Sequence, residues 1–122
     1  MTNEKNWPKV AVVGAGAVGG YFGGLLVRSG VPVMMIGRPA FVEAVQKSGL
    51  RLDTMQFQET LHPAASTEIS ATAGADYVLF CVKTTDTASV SKELANYISP
   101  STVVLSLQNG VNNAEEIGRA HV

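Results

Sequence analysis

Gly14, Gly16 and Gly19 have the spacing found where a chain turns sharply from a strand into a helix. They follow the apolar run VAVV (10–13) and open a segment with a helical pattern. Gly14 would allow the turn, Gly16 would let the backbone approach an anion without a Cβ between them, and Gly19 would allow close packing of helix on strand. The free N–H groups at the helix start suit a dinucleotide pyrophosphate. We therefore predict a cofactor site formed by Gly14, Ala15, Gly16, Ala17, Val18 and Gly19.

Arg38 follows the second predicted strand, in the segment MMIGRP (34–39). In dinucleotide-binding domains an acidic residue at this place usually binds the adenosine ribose hydroxyls, whereas an arginine accommodates a 2′-phosphate. The segment has no acidic residue, and a guanidinium offers phosphate a fixed fork of donors and a permanent charge. We therefore predict NADPH or NADP+ as the cofactor. The alternative is a solvated loop arginine with no specific partner.

Two more polar residues come directly after predicted strands, where α/β sheets bind ligands. Lys83, in FCVKTTDT, could place a positive charge over the cofactor crevice, although it could also be an ordinary lysine at a strand end. Asn109, in LQNG, could direct its amide at the nicotinamide or the substrate, although Asn-Gly is also a good turn. Asp86 or Thr85 is expected to cap the helix that follows rather than to do chemistry.

Other kinds of site find little support. Cys81 lies inside an apolar run, which favours a buried structural thiol over a nucleophile, and no group of His, Cys, Asp and Glu has metal-ligand spacing. A net charge of -1 argues against a nucleic-acid surface. The apolar runs are too short to cross a membrane, and the polar N-terminus is unlike a signal peptide. One cysteine allows no internal disulfide, so we expect a cytoplasmic protein.

Apolar runs alternate with helical patterns along the chain. Near-continuous apolar strands are typical of a sheet that is covered on both faces, so we predict an α/β fold, a doubly wound Rossmann-type parallel sheet with helices on both faces. Gly23 and Gly24 inside the first helix indicate close helix–sheet packing. The predicted strands are 10–13, 32–36, 77–82 and 102–107, the predicted helices are 17–28, 40–47, 87–98 and 112–119, and a short extended pair is predicted at 50–53 and 57–62.

From residue 9 to about residue 117 the sequence resembles the ketopantoate reductases (2-dehydropantoate 2-reductases). The segments that carry the resemblance are GAGAVGGYFGGLL, IGRPAFVEAVQKSGLRL, VLFCVKTTDT and VVLSLQNGVNN. The resemblance implies that the glycine turn holds the NADPH pyrophosphate and that Arg38 binds its 2′-phosphate. It also implies that Lys83 and Asn109 line the nicotinamide and substrate region.

The resemblance further implies hydride transfer from NADPH to the keto group of ketopantoate, which gives pantoate for pantothenate and coenzyme A synthesis. In that family the general acid is a lysine in a helical C-terminal domain, and a glutamate of the same domain helps to hold cofactor and substrate. Neither lies in residues 1–122, so we expect an incomplete dinucleotide-binding domain that has no catalytic residue of its own and is inactive alone. Its open sheet edge would favour aggregation or a homodimer.

Two alternatives to this function stay open. Another NAD(P)-dependent dehydrogenase of hydroxy or keto acids could share the domain, or the chain could be a non-catalytic module that senses NADP(H). The downstream sequence would separate them, because a helical domain with a suitable lysine and glutamate indicates the reductase. A transporter or DNA-binding segment would indicate the sensor instead.

Overall fold

A five-stranded parallel sheet forms the centre of the structure, a computed structural model that describes residues 7–14, 16–83 and 86–107. The strands in chain order are β1 (Val10–Val13), β2 (Val33–Ile36), β3 (Leu50–Asp53), β4 (Gln58–Leu61), β5 (Ala64–Ser66), β6 (Tyr77–Phe80) and β7 (Val103–Ser106). Their order in the sheet is β5-β2-β1-β6-β7, and every neighbouring pair is parallel. Strands β3 and β4 form a separate antiparallel pair.

Helices cover both faces of this sheet. They are α1 (Ala17–Arg28), α2 (Pro39–Ser48) and α3 (Thr87–Leu94), with a 3₁₀ helix at Ile69–Thr72. Alternate residues of β1 belong to different cores: Val10 and Val12 pack with residues of α1 and α2, whereas Ala11 and Val13 pack with residues of α3 and the 3₁₀ helix. All four β1 side chains are buried. The predicted doubly wound parallel sheet is therefore confirmed.

Most predicted elements are present with small changes at their ends. Strand β1 and helix α1 have the predicted bounds, and the extended pair is the β3–β4 hairpin. Helix α3 ends at Leu94 instead of residue 98, because Asn96 and Tyr97 bond back three residues in turns of 3₁₀ type. Strand β5 and the 3₁₀ helix were not predicted. The predicted helix 112–119 lies outside the described residues.

The glycines inside α1 allow close packing, as predicted. A Cβ on Gly23 would lie 2.8 Å from Cε of Met35 in β2, and one on Gly24 would lie 3.3 Å from Cδ1 of Leu52 in β3. The hairpin is also held at the end of α1, where Arg28 pairs with Glu59 of β4 at 3.0 Å and stacks on the ring of Phe57. Helix α1 is thus fixed between the sheet and the hairpin.

The strand order places a topological switch point between β1 and β6. The chain moves from β1 to β2 and β5 on one side and then returns to β6 and β7 on the other. At such a point the connections leave in opposite directions, so a crevice opens beyond the carboxyl ends of the strands. In the part of the chain that the structure describes, no helix is both long and apolar enough to cross a membrane.

Candidate cofactor-binding site

The strands on both sides of the switch point end at the same level. Val13 is in register with Ile36 of β2 and with Phe80 of β6. The ladder continues one step further, because the N–H of Gly14 donates to the Ile36 carbonyl at 3.0 Å and the N–H of Cys81 donates to the Val13 carbonyl at 2.8 Å. The segments that follow β1, β2 and β6 therefore leave the sheet side by side.

A crevice of about 630 Å³ opens where these segments leave the sheet. Gly14 and Gly16 line it between β1 and α1, and Arg38 lines it at the junction of β2 with α2. Lys83 and Asp86 line it between β6 and α3. Four of the residues predicted from sequence, Gly14, Gly16, Arg38 and Lys83, are thus brought together around one cavity.

Gly14 makes the tight turn that the sequence predicts. Its φ of +87° lies in the left-handed region that side chains disfavour. A Cβ at this position would also lie 2.6 Å from the backbone nitrogen of Val82. The turn after β1 can therefore pack against the end of β6 only with glycine at this position.

Gly16 differs from Gly14, because apart from its own neighbours in the chain nothing in the described residues lies within 4 Å of the position its Cβ would take. It is the N-cap residue of α1, so no side chain caps the helix at this position, and the first turn has no acidic residue. The first N–H groups of a helix have no partners within it and carry partial positive charge. The start of α1 therefore offers an anion both space and donors.

The other predicted residues near the glycine turn are placed differently. Ala17 and Val18 are exposed in the first turn of α1 and do not line the crevice. Gly19 is buried beneath the turn, where a Cβ would lie 2.6 Å from the Gly14 carbonyl oxygen and 3.2 Å from Cγ1 of Val12. Gly19 is thus a packing residue, as the spacing predicted. Ala15 and Asn109 lie outside the described residues.

Arg38 and Lys83 supply positive charge on opposite sides of the crevice. Arg38 is the N-cap residue of α2, and its side chain is 81% exposed. Its Nη2 lies 3.7 Å from Oδ2 of Asp86, which is 42% exposed. Lys83 is also exposed. The Arg38–Asp86 ion pair is so exposed that it contributes little, about 0–1 kcal/mol, so the guanidinium can turn to an anionic ligand.

Asp86 is the residue of this site that sequence reasoning treated only as a helix cap. It does occupy the N-cap position of α3, but its side chain makes no capping hydrogen bond. Its N–H donates to the Lys83 carbonyl at 2.9 Å, which ties the start of α3 to a residue that lines the crevice after β6. In the sequence, only its place at a strand–helix junction indicates that Asp86 could belong to the site. Its pairing with Arg38 cannot be predicted, because the two residues are far apart in the chain.

Cys81 lines the crevice as a neutral thiol. Burial disfavours the thiolate and raises the pKa of Cys81 from 9.0 to about 11. The thiol is therefore protonated at neutral pH, as a structural cysteine would be, but it is half-buried just beyond β6 and not buried within a strand as predicted. Within the described residues, no group of three or more His, Cys, Asp and Glu could hold a metal ion.

Comparison with known proteins identifies the family. Residues 10–121 match the family model described as "Ketopantoate reductase PanE/ApbA". The chain belongs to the ketopantoate reductase family. Among family relatives, a 2-dehydropantoate 2-reductase of Pyrococcus horikoshii is 36% identical over 112 residues, which cover 89% of this chain and 35% of the relative. The resemblance noted from the sequence motifs is thereby confirmed.

Solved structures agree with the family and with the fold. A PanE/ApbA family ketopantoate reductase of Ralstonia eutropha JMP134 has a TM-score of 0.88 and 50% identity, covering 91% of this chain and 37% of that one. A D-mandelate dehydrogenase, solved with NADH and anilino(oxo)acetate, has a TM-score of 0.80 and 26% identity, covering 91% and 36%. The chain therefore spans about a third of the length of the proteins it matches.

Proposed function

We propose that this chain binds NADPH and serves as the cofactor domain of a reductase that converts 2-dehydropantoate to pantoate. The observation that carries the proposal is that Gly14, Gly16 and Arg38 line one crevice. The turn suits a pyrophosphate, and the arginine suits a 2′-phosphate. Membership of the ketopantoate reductase family supports 2-dehydropantoate as the substrate. Because the chain matches only about a third of the length of its relatives, we also propose a further domain outside residues 1–122.

Each of the residues predicted from the sequence would have its own task in this function. The N–H groups at the start of α1 would hold the pyrophosphate, and Arg38 would hold the 2′-phosphate. Lys83 would lie over the cofactor, and Asn109 would direct its amide toward the nicotinamide and the substrate. NADPH supplies a hydride to the keto carbon when it is bound. The proton for the developing alkoxide would come from the lysine of the further domain.

Parallel titrations of the chain with NADPH and NADH, followed by cofactor fluorescence, test the cofactor. We expect tighter binding of NADPH. Arg38→Ala should weaken NADPH about tenfold to a hundredfold, because it removes charge-assisted hydrogen bonds, and should leave NADH nearly unchanged. Arg51→Ala is the matched control, since Arg51 is also an exposed arginine with a carboxylate partner but lies on the hairpin. Equal losses for both cofactors in Arg38→Ala would contradict the assignment of NADPH.

A chimera tests the enzyme. This chain would replace the matching N-terminal third of the Ralstonia eutropha ketopantoate reductase, to which it is 50% identical. We expect the chimera to oxidise NADPH on addition of 2-dehydropantoate and to lose that activity with Gly16→Ala. A folded chimera that binds NADPH but does not turn over would contradict the proposed role as the reductase's cofactor domain.

A second candidate is a dehydrogenase of another hydroxy or keto acid that uses NADH. It is supported by the likeness to the D-mandelate dehydrogenase, which was solved with NADH. Preference for NADH in the titrations would favour this candidate. The non-catalytic sensing module, the homodimer and the cytoplasmic location stay predictions.

A further inference from the structure

Asp86 presents a carboxylate to the crevice from the side opposite β2. The end of β2 carries Arg38 and no acidic residue, which is the pattern expected for a 2′-phosphate site. The structure nevertheless brings an acid to the same place, with Oδ2 of Asp86 3.7 Å from Nη2 of Arg38. Both residues line the crevice. The site thus holds a cation and an anion together where a 2′-phosphate or a 2′-hydroxyl would lie.

A capping role does not account for this carboxylate. An aspartate at an N-cap usually accepts a hydrogen bond from the second or third N–H of its helix, but Asp86 makes no such bond. Its backbone is held on both sides, because its N–H donates to the Lys83 carbonyl and its own carbonyl accepts from Oγ of Ser89 at 3.2 Å. These hydrogen bonds fix the backbone position of Asp86, and its side chain extends from there toward Arg38.

We propose that Asp86 sets how strongly this site prefers NADPH over NADH, an inference that rests on the proposed binding of a nicotinamide dinucleotide. A 2′-phosphate bound at Arg38 would carry negative charge close to the Asp86 carboxylate, and like charges repel. A ribose 2′-hydroxyl would instead find an acceptor in Asp86. The Asp86 carboxylate therefore weakens the binding of NADPH and strengthens that of NADH. It reduces the preference for NADPH that Arg38 creates.

Substitution of Asp86 tests this directly. We would titrate the Asp86→Asn variant with NADPH and NADH at fixed ionic strength and follow the dissociation constants by cofactor fluorescence. We expect NADPH to bind about three- to tenfold more tightly and NADH to bind equally well or more weakly. Asp86→Ser provides a second variant, because asparagine and serine both suit an N-cap position and should preserve α3.

Two further variants show that the effect is local. Asp53→Asn removes another exposed carboxylate that pairs with an arginine, Arg51, at 2.8 Å on the hairpin, and it should leave both dissociation constants unchanged. The double variant Arg38→Ala with Asp86→Asn should lose most of the gain for NADPH. That loss is expected because, without Arg38, the phosphate is no longer held beside position 86, so Asp86→Asn has little repulsion left to relieve.

The outcomes separate this inference from the function on which it rests. If NADPH binding depends on Arg38 but both Asp86 variants leave the ratio of the two dissociation constants unchanged, the inference is overturned and the proposed cofactor stands. If circular dichroism shows folded chains and none of them binds either dinucleotide, the proposed function is overturned and the inference with it. If the dissociation constant for NADH divided by that for NADPH rises in both Asp86 variants and stays unchanged in Asp53→Asn, the inference and the proposed function are both supported.

Discussion

Gly19 lies so close to Gly14 that a methyl group on Gly19 would come within 2.6 Å of the Gly14 carbonyl oxygen. The glycine at the first turn of α1 thus packs directly on the glycine that makes the turn after β1. Around Gly20, its neighbour, no atom of the described residues lies within 4 Å of the Cβ position apart from the adjoining residues and the backbone of α1 itself. Adjacent glycines of one helix therefore have different physical reasons for their presence.

We expect alanine to have opposite effects at these two positions. Gly20→Ala should stabilise the fold by up to about 1 kcal/mol, because alanine is the better helix former and the space is open. Gly19→Ala should destabilise it by about 1–3 kcal/mol, since the added methyl meets backbone that cannot yield as a side chain would. Urea unfolding followed by circular dichroism measures both. A destabilised Gly20→Ala variant would show that something occupies this space.

Gly16→Ala should separate binding from folding. The Cβ would meet nothing within the described residues, so the free energy of unfolding should fall by less than about 1 kcal/mol. The same methyl would stand at the start of α1 in the crevice, where a pyrophosphate must approach the N–H groups. We expect NADPH and NADH to bind at least about tenfold more weakly.

Gly14→Ala, in the same turn, is the variant to compare with Gly16→Ala. It should lower the free energy of unfolding by about 2–4 kcal/mol, because it combines a φ of +87° with a contact on the backbone of Val82. Gly16→Ala and Gly14→Ala should thus differ in stability even if both reduce binding. Unchanged affinity for both dinucleotides in a folded Gly16→Ala variant would place the pyrophosphate elsewhere.

The strands and the first helix were predictable because their signals are local. Strand β1 is a continuous apolar run and α1 begins at the glycine turn, so both bounds follow from neighbouring residues. Strand β5 was not predictable in this way. It is the short, small-residue segment Ala64–Ser66, which is strand because it pairs with β2 at the sheet edge. Its conformation depends on a partner far away in the sequence.

The same distinction divides the candidate site. Gly14 and Gly16 could be found from spacing, and Arg38 and Lys83 from their places after strands. The relation between Arg38 and Asp86 could not, since these residues are 48 positions apart and meet only because β2 and β6 flank β1. From its position in the sequence, Asp86 is predicted to be a helix cap. The sheet topology instead makes it a second charged residue in the crevice.

Cys81 should react slowly and make stability depend on alkaline pH. With its pKa at about 11 instead of 9.0, alkylation by iodoacetamide at pH 8 should be at least about tenfold slower in the folded chain than in the unfolded one, because the smaller thiolate fraction outweighs the higher nucleophilicity of that thiolate. The folded state also keeps this proton to higher pH than the unfolded state. Stability should therefore be unaffected below about pH 9 and should fall as the pH rises from about 9 to about 11.

The Cys81→Ala variant isolates the contribution of this thiol to the pH dependence of stability. The difference in unfolding free energy between the original chain and Cys81→Ala should be constant below about pH 9 and should shift against the original chain above it. Urea unfolding at several pH values measures that difference. A difference that does not change with pH would mean that the thiol titrates alike in the folded and unfolded states.

Ser91 should be replaceable by alanine with a gain in stability. Its side chain is buried in α3, and its Oγ has no hydrogen-bond partner within the described residues. An unpaired buried hydroxyl costs about 1–3 kcal/mol, and alanine is also the better helix former. We expect Ser91→Ala to raise the free energy of unfolding by about 0.5–1.5 kcal/mol.

Thr102 offers the contrasting case, because it is equally buried but its hydroxyl donates to the Ala75 carbonyl at 3.0 Å. Thr102→Val should lower the free energy of unfolding by about 1–2 kcal/mol, since it leaves that carbonyl without this donor. Both variants are measured by urea unfolding under the same conditions. If Ser91→Ala lost as much stability as Thr102→Val, the Ser91 hydroxyl would have a partner in the folded protein, and α3 would be held by a polar contact as well as by its apolar face.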